Sequence, residues 1–581
     1  MPRPLTNSVS AVERLAAEVR DLERRVQALE ERALEKPALE SRTRETDSRA
    51  VEAAAVLQLP GWLSTGLVPL LGTAILGIGG AYLLRAIAES GMVPRAVAVA
   101  VAVVYAGLWL FRSGHQRPER EQAGVVYAAT AGFIFLPMLW EATVRFKVLE
   151  PRLTAALLIS FAVAAAALAW TRNRSALLWV TILPAAIAAL VLVVTTGELT
   201  PFTIALLAIA AMVETAAVRD RWLGLRPVVA LLADLGVWLM IYVGALPQTP
   251  GIYRPVTRAA AVALAFALPG IYAASMGCRT FLLRKNATLF ETGQTALACI
   301  LAVGGTLRLM EHHAPLGAFC LLGAAACYAV AFARLAAERS EARNHYAFGG
   351  YGLALLLTGS ALLLPGPEAG LLWSGFAVAG MFAAARISSP RSSRALAAHA
   401  AICLVAAALV SGLFKYGWLA MTTTELPELA GLPPVLLWMQ AAAVLCYAAC
   451  FAARTSTWPR LVAASLAAYA MLAFSVTMVG PHTWAAPAAM SRLATARTVV
   501  MCAMALLAAS AGGRWRRREL VWISYAMIAL VTLKLIAEDF HQDSPTALAI
   551  ALLSYGTVLV LAPRLTRSAP AGVHSTAEKR S

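Results

Sequence analysis

The side chains in this sequence with the most chemical potential are acids set inside apolar runs. Asp234 sits in LLADLGVWLM and Glu291 in NATLFETGQTAL. A charge at the centre of a bilayer costs about 2.5–3.5 kcal/mol on insertion scales, so such a residue must face other helices, pair with a base, or be protonated. Helical spacing puts Thr288, Glu291 and Thr295 on one face at i, i+3 and i+7, a stripe that could line a polar path. Asp234, Glu291, Thr288 and Thr295 are therefore the substrate-path candidates. The structural alternatives are an interhelical salt bridge or hydrogen bond for Asp234, and for Glu291 a pair with Arg284 or Lys285 near the surface. Glu141 and Glu214 lie near the ends of their runs, where a long side chain can reach back to the interface. Lys534 and Glu538 are one helical turn apart and can satisfy each other.

Other motifs exclude more than they suggest. His312-His313 has no glutamate at zinc-peptidase spacing, and no G-x-x-x-x-G-K-[ST] phosphate loop occurs. The eight cysteines all fall in or beside apolar runs and none forms a C-x-x-C pair. Cys446 and Cys450 share a helix face, and they read as small polarisable helix residues because a thiolate metal site needs further partners. The segment 538–543 gathers Glu538, Asp539, His541 and Asp543, a patch that could hold a divalent ion. It also leads into Ser544-Pro545, an ordinary helix start with a capping serine and proline at the first turn. No catalytic residue, metal ligand set or cofactor is expected.

The elements that must position these residues are membrane helices. Mean hydropathy is +0.69, 60% of residues are hydrophobic and only 14% are charged, well below the roughly 25% of soluble domains. About eighteen runs are each long enough to cross a hydrocarbon core of about 30 Å. Their cores fall near 62–84, 95–111, 123–144, 153–170, 176–196, 199–218, 223–246, 257–278, 286–307, 314–335, 346–364, 369–385, 395–414, 433–453, 461–480, 493–512, 519–537 and 545–562. The expected fold is all-α, a polytopic transmembrane helical bundle (61–563). A short cytoplasmic coiled-coil helix (1–36) and a charged linker (37–60) precede it, and a disordered cytoplasmic tail (564–581) follows. Pro137, Pro184 and Pro269 lie inside runs and should kink their helices.

Charge placement gives the orientation. The formal net charge is +17, yet residues 1–60 hold ten Lys and Arg against eleven Asp and Glu, so the remainder carries the whole excess. Arginines cluster in alternate connections, such as Arg219/Arg221, Arg279/Arg284/Lys285 and Arg514/Arg516/Arg517/Arg518, with exceptions at Arg145/Lys147/Arg152 and Arg254/Arg258. That bias places both termini in the cytoplasm. Basic residues scattered in twos and threes leave no stripe for a phosphate backbone, so nucleic acid is not an expected partner, whereas the lipid bilayer is.

Residues 9–36 carry heptads with Val12, Val19 and Val26 at a and Leu15, Leu22 and Leu29 at d. β-branched a positions with leucine at d favour a parallel two-stranded coiled coil, which predicts a homo-oligomer through 9–36. The flanks are mixed: Glu18 would meet Glu23 of the second copy, while Arg25 would meet Glu30. Pro37 ends the pattern.

From Ile78 the chain reads IGGAYLLRAIAESGMVPRAVAVAVAVVYAG, and near its end ALVTLKLIAEDFHQDSPTALAIALLSYGTVLVLAPRL. A glycine-rich first span, Leu-Leu-Arg, an acid, Ser-Gly and a Pro-Arg opening the second span resemble the start of the domain-of-unknown-function 2339 family. Its members are predicted bacterial multi-pass membrane proteins, many with a coiled coil ahead of the first span. The lysine-containing span that reaches an aspartate, followed by one more span, resembles that family's ending. On this resemblance Arg85, Glu89, Gly91, Pro94, Arg95, Lys534 and Asp539 are family positions. It implies the bacterial inner membrane and brings no reaction with it.

Three classes of function fit these features. A non-enzymatic scaffold or assembly protein of the cell envelope follows from the heptads, the scarcity of buried charge and the short outer loops. A transporter or flippase for a lipid-like or small polar substrate would use kinked helices with Asp234 and Glu291 at a midplane site. A membrane glycosyltransferase using lipid-linked sugar would use Glu89 in the first outer loop, although such enzymes usually show two acids and a large outer domain.

Overall fold

Leucine, alanine and valine runs of this length leave a chain in lipid one economical way to satisfy its backbone, an α-helix. The computed structural model describes Arg25 and residues 67–566, apart from 91–92, 117–120, 173–174, 335–341, 423–433, 453–455, 484–488 and 542–543; these residues contain helices and connections and no strand. Sixteen helices among them are long and apolar enough to cross a membrane. The heptad positions Val12, Leu15, Val19, Leu22, Val26 and Leu29, and Gly91, lie outside the described residues.

The chain forms two compact units, divided after Met138. The first holds α1 (Leu67–Glu89), α2 (Arg95–Gly114) and most of α3 (Glu121–Trp140). Pro94 and Arg95 open α2, and Arg85 and Glu89 pair with each other at 3.2 Å along α1. Tyr105 donates to the carbonyl of Gly77 at 3.2 Å, and Trp109 meets Tyr127 edge-on at 5.5 Å.

The second unit begins with a π-helical turn, Glu141–Arg145, and continues through α4 (Pro151–Arg172), α5 (Ser175–Thr196), α6 (Leu199–Val218), α7 (Arg226–Gly244), α8 (Arg258–Gly277) and α9 (Leu289–Leu309). Then come α10 (Ala314–Tyr328), α11 (Ala342–Leu363), α12 (Gly366–Arg386), α13 (Pro390–Val410), α14 (Leu413–Thr422), α15 (Pro434–Ala452), α16 (Thr457–Thr483), α17 (Ala489–Arg514), α18 (Arg518–Ala537) and α19 (Pro545–Thr566). Sequence neighbours pack together, as in α6–α7, α8–α9, α10–α11, α12–α13 and α17–α18, as short connections require. Helix α6 packs on α4, α5, α7 and α8 and is the most enclosed of the sixteen, with 67% of its span buried.

Each of the eighteen expected runs coincides with a helix, including the two outside the sixteen. These are α9, which carries Glu291, Gln294 and Arg308, and α15, whose described apolar stretch is only Leu437–Phe451. Helix α14 has no counterpart in the expected runs. Gly412, at φ +81°, breaks the chain after α13, and a further ten residues form a helix against α16. A left-handed residue ends a helix at little cost when it is glycine.

Small residues let the helices approach closely. Gly317 of α10 and Gly359 of α11 face one another: a Cβ on Gly359 would stand 2.8 Å from the Gly317 carbonyl oxygen, and one on Gly317 would stand 3.0 Å from the Gly359 oxygen. Contact of this kind replaces the water-driven force that helices lack in lipid. Gly359→Val should therefore destabilise the protein by about 1–3 kcal/mol through overpacking. Gly350 on the same helix has nothing within 4 Å of an added Cβ and serves as the control. Thermal unfolding in detergent, followed by tryptophan fluorescence, should give Gly359→Val the lower midpoint; equal midpoints for Gly359→Val and Gly350→Val would contradict the close approach.

Candidate functional site

Helices α6 to α9 converge on one guanidinium. Helix α7 begins at Arg226, with Pro227 behind it, and the Arg226 side chain enters the bundle instead of reaching solvent. Its Nε and Nη2 donate to Glu214 Oε1 and Oε2 at 2.9 and 2.6 Å, a bidentate fork from α7 to α6. Its Nη1 donates to Glu291 Oε1 on α9 at 3.1 Å, and its guanidinium lies over the Phe290 ring at 5.0 Å. Ser275 of α8 donates to Glu214 Oε2 at 2.7 Å. Glu214, Arg226 and Glu291 are each at most 4% exposed.

Glu291 has a second duty. Thr288 caps α9 and accepts from the Glu291 amide, while Glu291 Oε2 accepts from the Thr288 amide at 2.8 Å, the reciprocal pattern of a capping box. Thr295 donates to the Glu291 carbonyl at 2.7 Å. The three residues do share a face; Thr288 and Thr295 hydrogen-bond within α9, while Glu291 also reaches Arg226 on α7.

The cluster extends to the connections. Arg279, in the π-helical turn Cys278–Leu282 that ends α8, lies 3.7 Å from Glu291 Oε2 and donates to Asp220 at 2.6 Å and to the Ala217 carbonyl at 3.3 Å. Lys285 also pairs with Asp220. Asn344 of α11 accepts from the Ala287 amide at 2.9 Å. Three acids (Glu214, Asp220, Glu291) meet three bases (Arg226, Arg279, Lys285), so the assembly is neutral overall. The two cations beside Asp220, Lys285 first and then Arg279, hold its carboxyl below the usual carboxylate range.

Asp234, two turns into α7, takes both hydrogen bonds of one amide: Gln294 Nε2 donates to Oδ1 and Oδ2 at 2.8 Å each. Gln294 stands one turn beyond Glu291 on α9, which brings Asp234 and Glu291 into one band of polar contacts between α7 and α9. Glu214 and Ser275 form part of the lining of a groove of about 650 Å³ between α6 and α8, together with Thr215, Arg219 and Gly270; Asp234 and Glu291 are not part of that lining.

A second charged cluster ties α17 to the end of α18. Lys534 donates to the Ala494 carbonyl at 2.9 Å, to Thr498 at 2.8 Å and to Asp539 Oδ1 at 3.0 Å, and lies 3.1 Å from Glu538. Thr498 donates to Asp539 Oδ2 at 2.7 Å, and Arg497 bridges the Ala420 carbonyl of α14 at 3.0 Å and Glu538 at 3.4 Å. Lys534, Glu538 and Asp539 are thus engaged together. The fifth buried acid among the described residues, Glu519, has Arg460 at 3.9 Å. No group of three His, Cys, Asp or Glu placed to hold a metal ion occurs among the described residues.

Sequence reasoning placed Asp234 and Glu291 but missed the residues that answer them; for Lys534 it named Glu538, which lies 3.1 Å away, and missed Thr498 and the Ala494 carbonyl. Glu214 does not reach the interface as its position near a span end suggested, because α6 is walled in by four other helices. Arg226 stood apart from the loop arginines, beyond Trp222-Leu-Gly-Leu, and that apolar separation was the available signal. Thr288-x-x-Glu291 is itself a capping-box signature. Gln294 had no signal beyond its i+3 spacing from Glu291.

No family model, curated protein or solved structure matches this chain.

Removing one partner of a buried ion pair leaves the other charge uncompensated, at about 3–5 kcal/mol. Arg226→Leu should lower folded yield and thermal midpoint sharply. The triple variant Arg226→Leu/Glu214→Gln/Glu291→Gln should recover part of the loss, because no charge is stranded. A triple variant less stable than Arg226→Leu would show that the carboxylates have a role besides answering Arg226. The Asp220 contacts carry a pH dependence. Its folded pKa is depressed, so the stabilisation is in place above the unfolded value of about 3.9 and is lost as pH falls through the lower folded value. Hydrogen exchange in the 219–222 and 278–288 connections should therefore rise only in acid below about pH 4, and Asp220→Asn should show the faster exchange already at neutral pH.

Proposed function

We propose that this chain is a non-enzymatic integral membrane scaffold or assembly protein of the bacterial cell envelope. In this reading both termini are cytoplasmic and copies associate through the heptads of residues 9–36. The observation that carries it is the way the buried acids are used. Glu214, Asp234, Glu291 and Asp539 each take hydrogen bonds from side chains of other helices or of the same cluster, so their charge is committed to holding helices together. A midplane transport site or a general acid would need a carboxyl left open to a ligand or proton donor. The resemblance to the domain-of-unknown-function 2339 family belongs to the same reading, with Arg85–Glu89 and Lys534–Asp539 as paired structural positions.

The transporter or flippase reading draws on one observation, the groove at which Glu214 and Ser275 meet open space. The two readings part on measurement. Full-length protein in detergent should run as more than one copy by light scattering, and Leu22→Pro, which removes a d position and breaks the helix, should return it to a monomer. A monomer in both cases ends the assembly reading. In parallel, Asp234→Asn and Glu214→Gln should lower folded yield and nothing else; unchanged yield with loss of a substrate- or proton-dependent signal in vesicles would favour transport.

A further inference from the structure

We propose that the groove between α10, α11, α12 and α13 binds one acyl chain of an anionic phospholipid, with the lipid phosphate at Arg386. The groove is about 700 Å³ and almost wholly apolar. On α12 its lining recurs at Leu372, Phe376, Ala379 and Ala383, a single helix face. Those positions cover about 16 Å of rise, close to half of a hydrocarbon core of about 30 Å and so to the depth of one leaflet.

The polar features gather at one end. The next position on the α12 stripe is Arg386, the last residue of the helix, three beyond Ala383. It is exposed and makes no hydrogen bond or ion pair among the described residues, unlike Arg226, Arg279 and Arg497. Tyr328 and His399, whose hydroxyl and Nδ1 lie 3.3 Å apart, line the groove toward the same connection. Ser360 is already taken by the Trp373 indole, which donates to it at 2.7 Å. Apart from the Cys403 thiol the remainder is hydrocarbon, and Leu363, Leu372 and Phe376 keep 37–40% of their surface uncovered along the slot.

An apolar slot of one-leaflet depth that ends at an unanswered cation complements a chain that ends in an anion. A zwitterionic lipid offers the same chain but carries a compensating ammonium, so the cation selects for net negative charge. The site is separate from the charged clusters and does not depend on whether the protein scaffolds or transports.

The test is native mass spectrometry of the full-length protein in detergent, titrated with phosphatidylglycerol or phosphatidylcholine of identical chains. Phosphatidylglycerol should form a one-lipid adduct at about tenfold lower concentration, the scale of one charge-assisted contact. Arg386→Ala should abolish that preference while leaving the thermal midpoint in place. Ala379→Phe, which fills the slot, should remove the adduct with both lipids. If Ala379→Phe does not fold, Gly380→Leu occupies the same space, since its Cβ would sit in ordinary contact 3.5 Å from the Ala400 Cβ. Equal uptake of the two lipids by the unaltered protein, or undiminished phosphatidylglycerol uptake by a filled variant, overturns the proposal. So does loss of a two-copy species on filling while lipid uptake persists, because the slot would then be an interface between copies.

Discussion

A guanidinium held between two carboxylates and closed off from solvent is the contact on which the α6–α9 region turns. Arg226 forks onto Glu214 and reaches Glu291, so three helices must stand at matching heights for the charges to meet. Charge in hydrocarbon is tolerated only when it is answered. The same low polarity makes a misplaced register expensive, and the ion triad therefore specifies packing more than it adds stability. Ser275 brings α8 into the arrangement, and the capping box at Thr288 ties the start of α9 to the same carboxylate. Arg279 then carries the order into the connections, where Asp220 and Lys285 meet.

The middle of the spans is built differently. Alanine and glycine dominate the buried positions there, and the Gly317–Gly359 approach brings two backbones together without a polar group. Helices in lipid gain no water-driven force by associating, so they depend on close van der Waals contact along their length and on polar ties where these can be satisfied. The Arg226 and Lys534 clusters lie toward helix ends, and the Asp234–Gln294 pair is the tie that sits deeper. Lys534 does for α17 and α18 what Arg226 does for α6 and α7: it draws a carbonyl, a hydroxyl and two carboxylates from separate segments onto one cation.

This use of charge bears on function. Polar residues in a transport pathway face a cavity and exchange partners as a substrate passes. Glu291 and Asp234 hold fixed protein partners on neighbouring helices, and Glu214, which borders the groove between α6 and α8, has its charge already matched by Arg226. Arg386 is the contrasting case, an exposed cation with no hydrogen bond or ion pair among the described residues, one helical turn beyond the lining of an apolar slot. Ion clusters closed among the helices and apolar side chains on their outer faces are compatible with an integral membrane protein.

Much of the architecture was legible in the residues alone. Apolar runs of span length separated by arginine-bearing connections have few other solutions in lipid, because hydrophobicity and backbone satisfaction are properties of local sequence. The acids at 234 and 291 were visible for the same reason: a charge in such a run stands out whatever surrounds it. What answers those two acids was decided only by the tertiary fold. Arg226 lies 12 residues from Glu214 and 65 from Glu291, Gln294 lies 60 from Asp234, and nothing in local spacing reports a partner on another helix. The short helix α14 escaped notice because Gly412 reads as an interruption in a run until the backbone is seen to turn there and wind again. Local sequence sets where helices form and how greasy they are; which of their faces meet depends on packing among all of them at once, and that is the information a single row of residues does not carry.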